Sequence, residues 1–279
     1  MFQSISNSWQ LVKESFKVLQ ADKELMIFPF FSSIAVIIVT ISFFVPMLLA
    51  GLFESVSHGV GQATMFLVVF IFYVVQYTVI FFANTALVGA AMIRLRGGDP
   101  TVSDGVRIAT SRFGVILGYA LIAATVGMIL RAISERGGLG RLISGLFGLV
   151  WNIATFLVVP ILAVENLGPI AAIKRSIALL KQTWGEQIAG NLGLGTFFGL
   201  IFFGLILLAI PFFFILVSIQ STALLIIGAV VYVLVFVLLA LVHSTLNGIY
   251  TAAVYQFATE GKVSGFFDQS LVQSAFRPK

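Results

Sequence analysis

The sequence predicts an all-α integral membrane protein, with six transmembrane helices arranged as three parallel-repeated hairpins. Each hairpin is preceded by an amphipathic interfacial helix on the cytoplasmic side. Three observations lead there. Hydrophobic residues make up 59% of the 279 positions, charged residues only 10%, and the mean hydropathy is +1.10. Charge is confined to short islands between long neutral runs. One spacing of apolar residues, at intervals of 4, 3 and 4, recurs ahead of three of those runs. A soluble domain places charge at about a quarter of its positions, so this chain has too little polar surface for a globule in water.

The elements follow in order. Ile5, Trp9, Val12 and Phe16 make one face of a first helix, with Lys13 and Lys17 on the other. No acidic or basic residue then occurs from Leu25 to Phe53. A crossing needs about 20 apolar residues, which gives span one, roughly 27–50. It exceeds a signal-peptide core of about 7–15 residues and reads as a retained helix. The neutral run Ser55–Ile93 holds span two, 63–93. "GGDP", Gly97 to Pro100, reads as a turn with Pro100 opening the next helix.

Val102, Val106, Ala109 and Phe113 repeat the apolar spacing, with Asp104, Arg107 and Arg112 opposite. The runs Phe113–Leu130 and Leu142–Val164 give spans three and four, 113–133 and 145–164. In "AAIKRSIALLKQTW", Ile173, Ile177, Leu180 and Trp184 form the third such face, with Lys174 and Lys181 opposite. The last neutral run, Gln187–Thr259, is long enough for two crossings and breaks at "SIQS", Ser218–Ser221, into 188–217 and 222–258. Pro46, Pro160 and Pro211 fall within spans and predict kinks. The chain thus reads as one membrane domain, 1–279, with repeat units of about 3–93, 100–164 and 169–259 and a tail at 260–279. "GAAMIRLRGG" and "TAAVYQFATEG" close the second and sixth spans in similar words.

Six crossings put both termini on one side. That side collects thirteen of the sixteen Lys and Arg residues; the other has Arg131, Arg136 and Arg141 in one loop and no cation near Glu54 and His58. Cytoplasmic loops carry the excess, so both ends are expected in the cytoplasm of a cell-membrane protein. The same rule accounts for the net charge of +5 without nucleic acid. Units that all start at one face are parallel, unlike the inverted repeats of many transporters.

Two groups of residues are candidates for function. The first is a basic surface of Lys13, Lys17, Arg107, Arg112, Lys174, Arg175 and Lys181. It suits an anionic inner leaflet or a partner membrane protein, or else cations that snorkel from helices lying in the interface. The second is an intramembrane polar set: Tyr77, Asn84, Asn152, His243 and Asn247. Polar groups within a bilayer are functional candidates, and these faces would line a cavity if they converged. The alternative is hydrogen-bonded glue between helices. His243 has no second ligand or proton-relay partner in the spans, so a hydrogen-bonded structural histidine is expected rather than a metal site or a relay. Gly114 with Gly118, and Asn191 with Gly195 and Gly199, form small-residue stripes. They are expected at internal contacts, with a homo-oligomer as the alternative.

Cysteine is absent, which removes thiol catalysis and thiolate metal sites. No G-x-S-x-G, H-E-x-x-H, phosphate loop or paired intramembrane carboxylate occurs. No cofactor is implied, and an enzyme is not expected.

"SWQLVKESFKVLQADKELMIFPF", Ser8 to Phe30, resembles the opening of a family of uncharacterised prokaryotic six-span membrane proteins, a domain of unknown function. "IKRSIALLKQTWGE" is similar to an Arg-Ser-x-x-Leu-Leu element in the membrane domain of some glycerophosphodiester phosphodiesterases. The resemblances imply the six-span architecture and no functional residues; the second implies only an accessory membrane region. Two functions remain in view. One is a non-catalytic protein that organises lipids or partners through its basic helices. The other is a transporter or channel with a path between spans two, four and six. The repeated basic helices and the sparse polar interior favour the first.

Overall fold

The computed structural model describes residues 13–49, 59–184, 193–261 and 265–266. Every regular element among them is helical: α1 (13–21), a 3₁₀ turn (Lys23–Met26), α2 (Ile27–Leu49), α3 (Gly59–Leu95), α4 (Val102–Ser111), α5 (Phe113–Ser134), α6 (Gly138–Ala154), α7 (Val158–Val164), α8 (Pro169–Trp184), α9 (Gly193–Ser218) and α10 (Thr222–Glu260). Six stretches are long and apolar enough to cross a membrane: Lys23–Leu49, Ala63–Leu95, Phe113–Ser134, Gly138–Val164, Phe197–Ser218 and Thr222–Glu260. These are the six expected spans, in a multi-pass membrane protein. The outer loop with Glu54 and His58, the N-terminal Ile5, Trp9 and Val12, Asn191 and most of the tail lie outside the described residues.

Boundaries follow local chemistry. Gly97, with φ of 87°, turns the chain after α3, where a side chain would be strained. The next helix opens later than Pro100. Thr101 is its N-cap, and the Thr101 and Asp104 side chains each accept the other's backbone N–H. This is a capping box, which satisfies two donors that the first turn leaves unpaired. The break at Ser218–Ser221 is real: α9 ends at Ser218, and the Ser221 hydroxyl accepts the Leu224 N–H that opens α10.

Span four departs from expectation. It is divided at Thr155–Leu157, and Pro160 lies in the first turn of α7. Proline lacks an N–H and its ring clashes with the carbonyl four residues back, here that of Phe156. The interruption falls there. Pro46 and Pro211 lie within α2 and α9 without dividing them.

Burial is concentrated at one end. In α3 the fully covered run is Thr85–Met92, and in α10 it is Thr245–Gln256 apart from Asn247 and Gly248. Leu87, Leu157, Ile161, Leu246 and Ile249 are among the largest side chains with no more than about a hundredth of their surface exposed. Elsewhere the large apolar side chains of the spans face outward, as on Ile206–Phe214 and Val230–Leu238. α3 has 37 residues and α10 has 39, about 55 Å or more each at 1.5 Å per residue, against about 30 Å of hydrocarbon. At the end where burial is highest, α4 packs onto α3 and α8 onto α10, and Val18 and Leu19 of α1 join the same buried core. α9 packs chiefly on α10, where the Tyr232 hydroxyl donates to the Leu205 carbonyl at 2.5 Å.

Candidate functional site

The buried end is also the charged end. Asp22, at the close of α1, is almost wholly buried and faces the Arg94 guanidinium of α3 at 3.5 Å. Arg94 also pairs with Asp99 in the following turn. Burial pushes the Asp22 carboxyl above its usual value, against the pull of Arg94. Beside it, Glu24 accepts the Val102 N–H at 3.3 Å and so ties the start of α4 to the start of α2. Hydrogen bonds from the Thr101 hydroxyl and N–H hold Asp104 below the ordinary carboxylate value.

Gly105 explains how α4 lies so close. A Cβ there would stand 2.4 Å from Phe28 Cζ and 2.8 Å from the Ala86 carbonyl oxygen. Only hydrogen fits that gap. From the far end of α4, Arg112 donates to the Asn166 side chain at 2.5 Å.

α8 docks through the residues of its Arg-Ser-x-x-Leu-Leu stretch. Arg175 pairs with Glu165 at 3.3 Å, and the same Glu165 oxygen accepts the Tyr255 hydroxyl at 3.0 Å. Ser176 is fully buried, and its hydroxyl accepts the Leu157 N–H at 3.2 Å. That N–H belongs to the interruption in span four. A side chain of α8 therefore satisfies a donor in the gap between α6 and α7, which is how irregular backbone is tolerated at membrane depth. Leu179 and Leu180 complete the contact, both buried. Across the bundle, Arg96, just past the end of α3, pairs with Glu260 of α10 at 2.8 Å.

The basic surface is thus two populations. Lys17 pairs with Glu14 at 2.9 Å, Arg107 with Asp104 at 2.8 Å, Arg175 with Glu165, and Arg112 with Asn166. Lys174 and Lys181 are exposed and form no ion pair among the described residues; Lys13 is exposed on α1. The acidic partners were missed by counting cations alone. Nine of the eleven Asp and Glu residues share the islands that hold the thirteen cations, and that signal was legible. So was Thr101-x-x-Asp104 as a capping box.

The faces expected to be apolar are only partly covered. Phe16, Val106 and Phe113 are 42%, 42% and 48% exposed, while Ala109 and Leu180 are buried. The covered faces of these helices carry Ser15, Val18 and Leu19; Gly105 and Ala109; and Ser176, Leu179 and Leu180.

The polar set is dispersed. Asn84 is half-buried, whereas Asn152 and Asn247 are exposed, and no hydrogen bond joins any of the three side chains. Spans two, four and six do meet, as α3, α7 and α10. They meet through Leu87, Leu157, Ile161, Leu246 and Ile249 rather than through asparagine. Tyr77 belongs instead to a ring column on α3, stacked on Tyr73 at 6.1 Å and on Phe81 at 5.7 Å, with Tyr119 of α5 against Phe81 at 4.5 Å. At the foot of that column Arg131 donates to the Tyr73 hydroxyl and to Glu135, each at 3.1 Å. His243 lies against Phe198 and Phe202, with ring centroids at 4.7 and 6.1 Å, and has no side-chain hydrogen bond among the described residues. Its setting is aromatic, not the hydrogen-bonded one expected. Gly118 meets Pro169, but Gly114, Gly195 and Gly199 face open space, so at the latter two glycines the stripe on α9 makes no close contact among the described residues.

Among the described residues no group of three or more His, Asp or Glu side chains is placed to hold a metal. The family model that matches this architecture covers residues 63–266, from span two through span six. The chain belongs to DUF6159, a family of unknown function. The matched residues begin beyond Ser8–Phe30, so that opening motif is not part of the match. No curated protein matches the sequence.

Proposed function

We propose that this protein is a non-catalytic membrane organiser, which binds anionic lipid or a partner at the inner leaflet through basic helices set across its span ends. The observation that carries the reading is the division of the cations at the charged end. Arg94, Arg96, Arg107, Arg112 and Arg175 are engaged within the protein, while Lys174 and Lys181 are left exposed on α8. In this reading both termini face the cytoplasm and α1, α4 and α8 are amphipathic interfacial helices. Each opens one of three like-oriented units and docks through a small residue followed, three and four positions on, by apolar residues: Ser15-Val18-Leu19, Gly105-Ile108-Ala109 and Ser176-Leu179-Leu180. Each exposed lysine near an anionic surface contributes about 1 kcal/mol.

Lys174 and Lys181 changed together to Glu are expected to lower affinity for phosphatidylglycerol liposomes at least about tenfold while leaving the melting temperature in detergent unchanged. Equal liposome affinity would sink lipid recognition by α8. A transporter or channel with a path between spans two, four and six is the second reading, motivated by the interruption in span four. The dry apolar contact between α3, α7 and α10 weighs against it. Asn84, Asn152 and Asn247 changed together to Leu block flux if they line a path and leave an organiser working.

A further inference from the structure

A cavity of about 470 Å³ lies between α2, α3 and α4 at the charged end. Phe31 and Ala35 of α2, Val79 and Phe82 of α3, Val106 of α4 and Phe113 of α5 line it. Phe31, Val106 and Phe113 are 62%, 42% and 48% exposed, so the cavity opens sideways between them. Its roof is set by the Gly105 contact, which presses α4 onto α2 and α3, and by the Glu24–Val102 hydrogen bond. The groove is therefore built into the docking of α4.

An apolar cavity offers water no hydrogen-bond partners and stays dry, and leaving it empty is costly. Its α2 and α3 walls belong to helices apolar enough to cross a membrane, so the apolar material available to fill it is a lipid chain. Its volume lies within the range of small-molecule sites, about 300–1,000 Å³. Lys23 lies four residues before Ile27, which lines the cavity, and next to Glu24, which accepts the N–H of Val102, another lining residue. Lys23 is exposed and has no ion pair among the described residues, unlike the arginines of this end.

We propose that this groove binds one acyl chain of an anionic phospholipid, with the phosphate at Lys23. The site deepens the lipid-organising reading and rests on it for the leaflet it faces. Native mass spectrometry of the full chain in mild detergent, with phosphatidylglycerol and phosphatidylcholine added in equal amounts, tests it. The unaltered protein retains one phosphatidylglycerol after bulk lipid is stripped. Ala35→Phe and Ala83→Phe fill the groove and abolish retention. Val106→Trp blocks the exposed mouth without entering the core and does the same, which keeps the test decisive if a filled groove does not fold. Lys23→Gln keeps the chain but lowers the preference for phosphatidylglycerol about fivefold. Retention unchanged in Val106→Trp, or an unchanged preference in Lys23→Gln, overturns the assignment. The α8 reversal at Lys174 and Lys181 leaves this lipid in place, so failure of the groove and failure of the basic surface are read separately.

Discussion

Ser15 and Ser176 are both fully buried hydroxyls, and they predict opposite outcomes. Ser176 accepts the Leu157 N–H, whereas the Ser15 hydroxyl has no hydrogen-bond partner among the described residues. Removing a hydroxyl that satisfies a buried donor costs about 1–3 kcal/mol, while removing an unsatisfied one is neutral or favourable. Ser176→Ala is therefore expected to lower the melting temperature in detergent, and Ser15→Ala to leave it level or raise it. Equal losses in the two would show that Ser176 does not secure the interruption in span four. Asp22 and Asp104 differ in the same way under pH. The Asp104 carboxyl is held down, so its contribution is present above its unfolded value and lost as pH falls through the folded one, below about 4. Asp22 is pushed up, so its contribution is present below its unfolded value and lost as pH rises through the folded one. Its ionised form carries the cost of burial. Asp22→Asn should be at least as stable as the parent at pH 7, with a flatter profile as pH rises above about 4 by thermal unfolding. A clear loss at pH 7 would mean that the Arg94 pair outweighs burial.

At the scale of elements, α4 and α8 are held by different devices. α4 relies on closeness. Gly105→Ala drives a Cβ against Phe28 and a backbone carbonyl, neither of which yields easily, and should cost about 1–3 kcal/mol. Gly114→Ala meets open space and is expected to be neutral, or to stabilise by up to about 1 kcal/mol through helix propensity. Urea or thermal unfolding of the two variants side by side checks the contrast. α8 relies on polar ties to Glu165 and Leu157. Reversing Arg175 therefore tests folding, while reversing Lys174 and Lys181 tests the surface. A charge reversal that included all three would mix the two effects.

For the whole molecule, the absence of cysteine makes topology directly testable. Ala178 of α8 and Leu139 at the start of α6 are both exposed. In the proposed orientation Ala178→Cys reacts with an impermeant thiol reagent only from the cytoplasmic side, and Leu139→Cys only from the other. Labelling of both from one side would contradict the six-crossing arrangement. The burial pattern suits a protein solvated by lipid. Side chains in the middle of the spans do not need a protein partner, and the dense core is placed where α1, α4 and α8 join the span ends.

The number of the crossings was legible along the chain, because hydrocarbon imposes a one-dimensional requirement: about 20 uncharged apolar residues, wherever they fall. The turn at Gly97 and the break at Ser218–Ser221 were legible for a similar reason, since each is decided by a few adjacent residues. Pairing was not. Asp22 reaches Arg94, Arg96 reaches Glu260, and Ser176 reaches Leu157 across distances in sequence that no periodicity encodes. The asparagines matched in depth but not in direction, since a small rotation or the interruption at Thr155–Leu157 turns a helical face away from its neighbours. Crossing a membrane is a property of each segment, whereas which polar groups meet depends on how helices rotate and dock, and only the packed structure decides that.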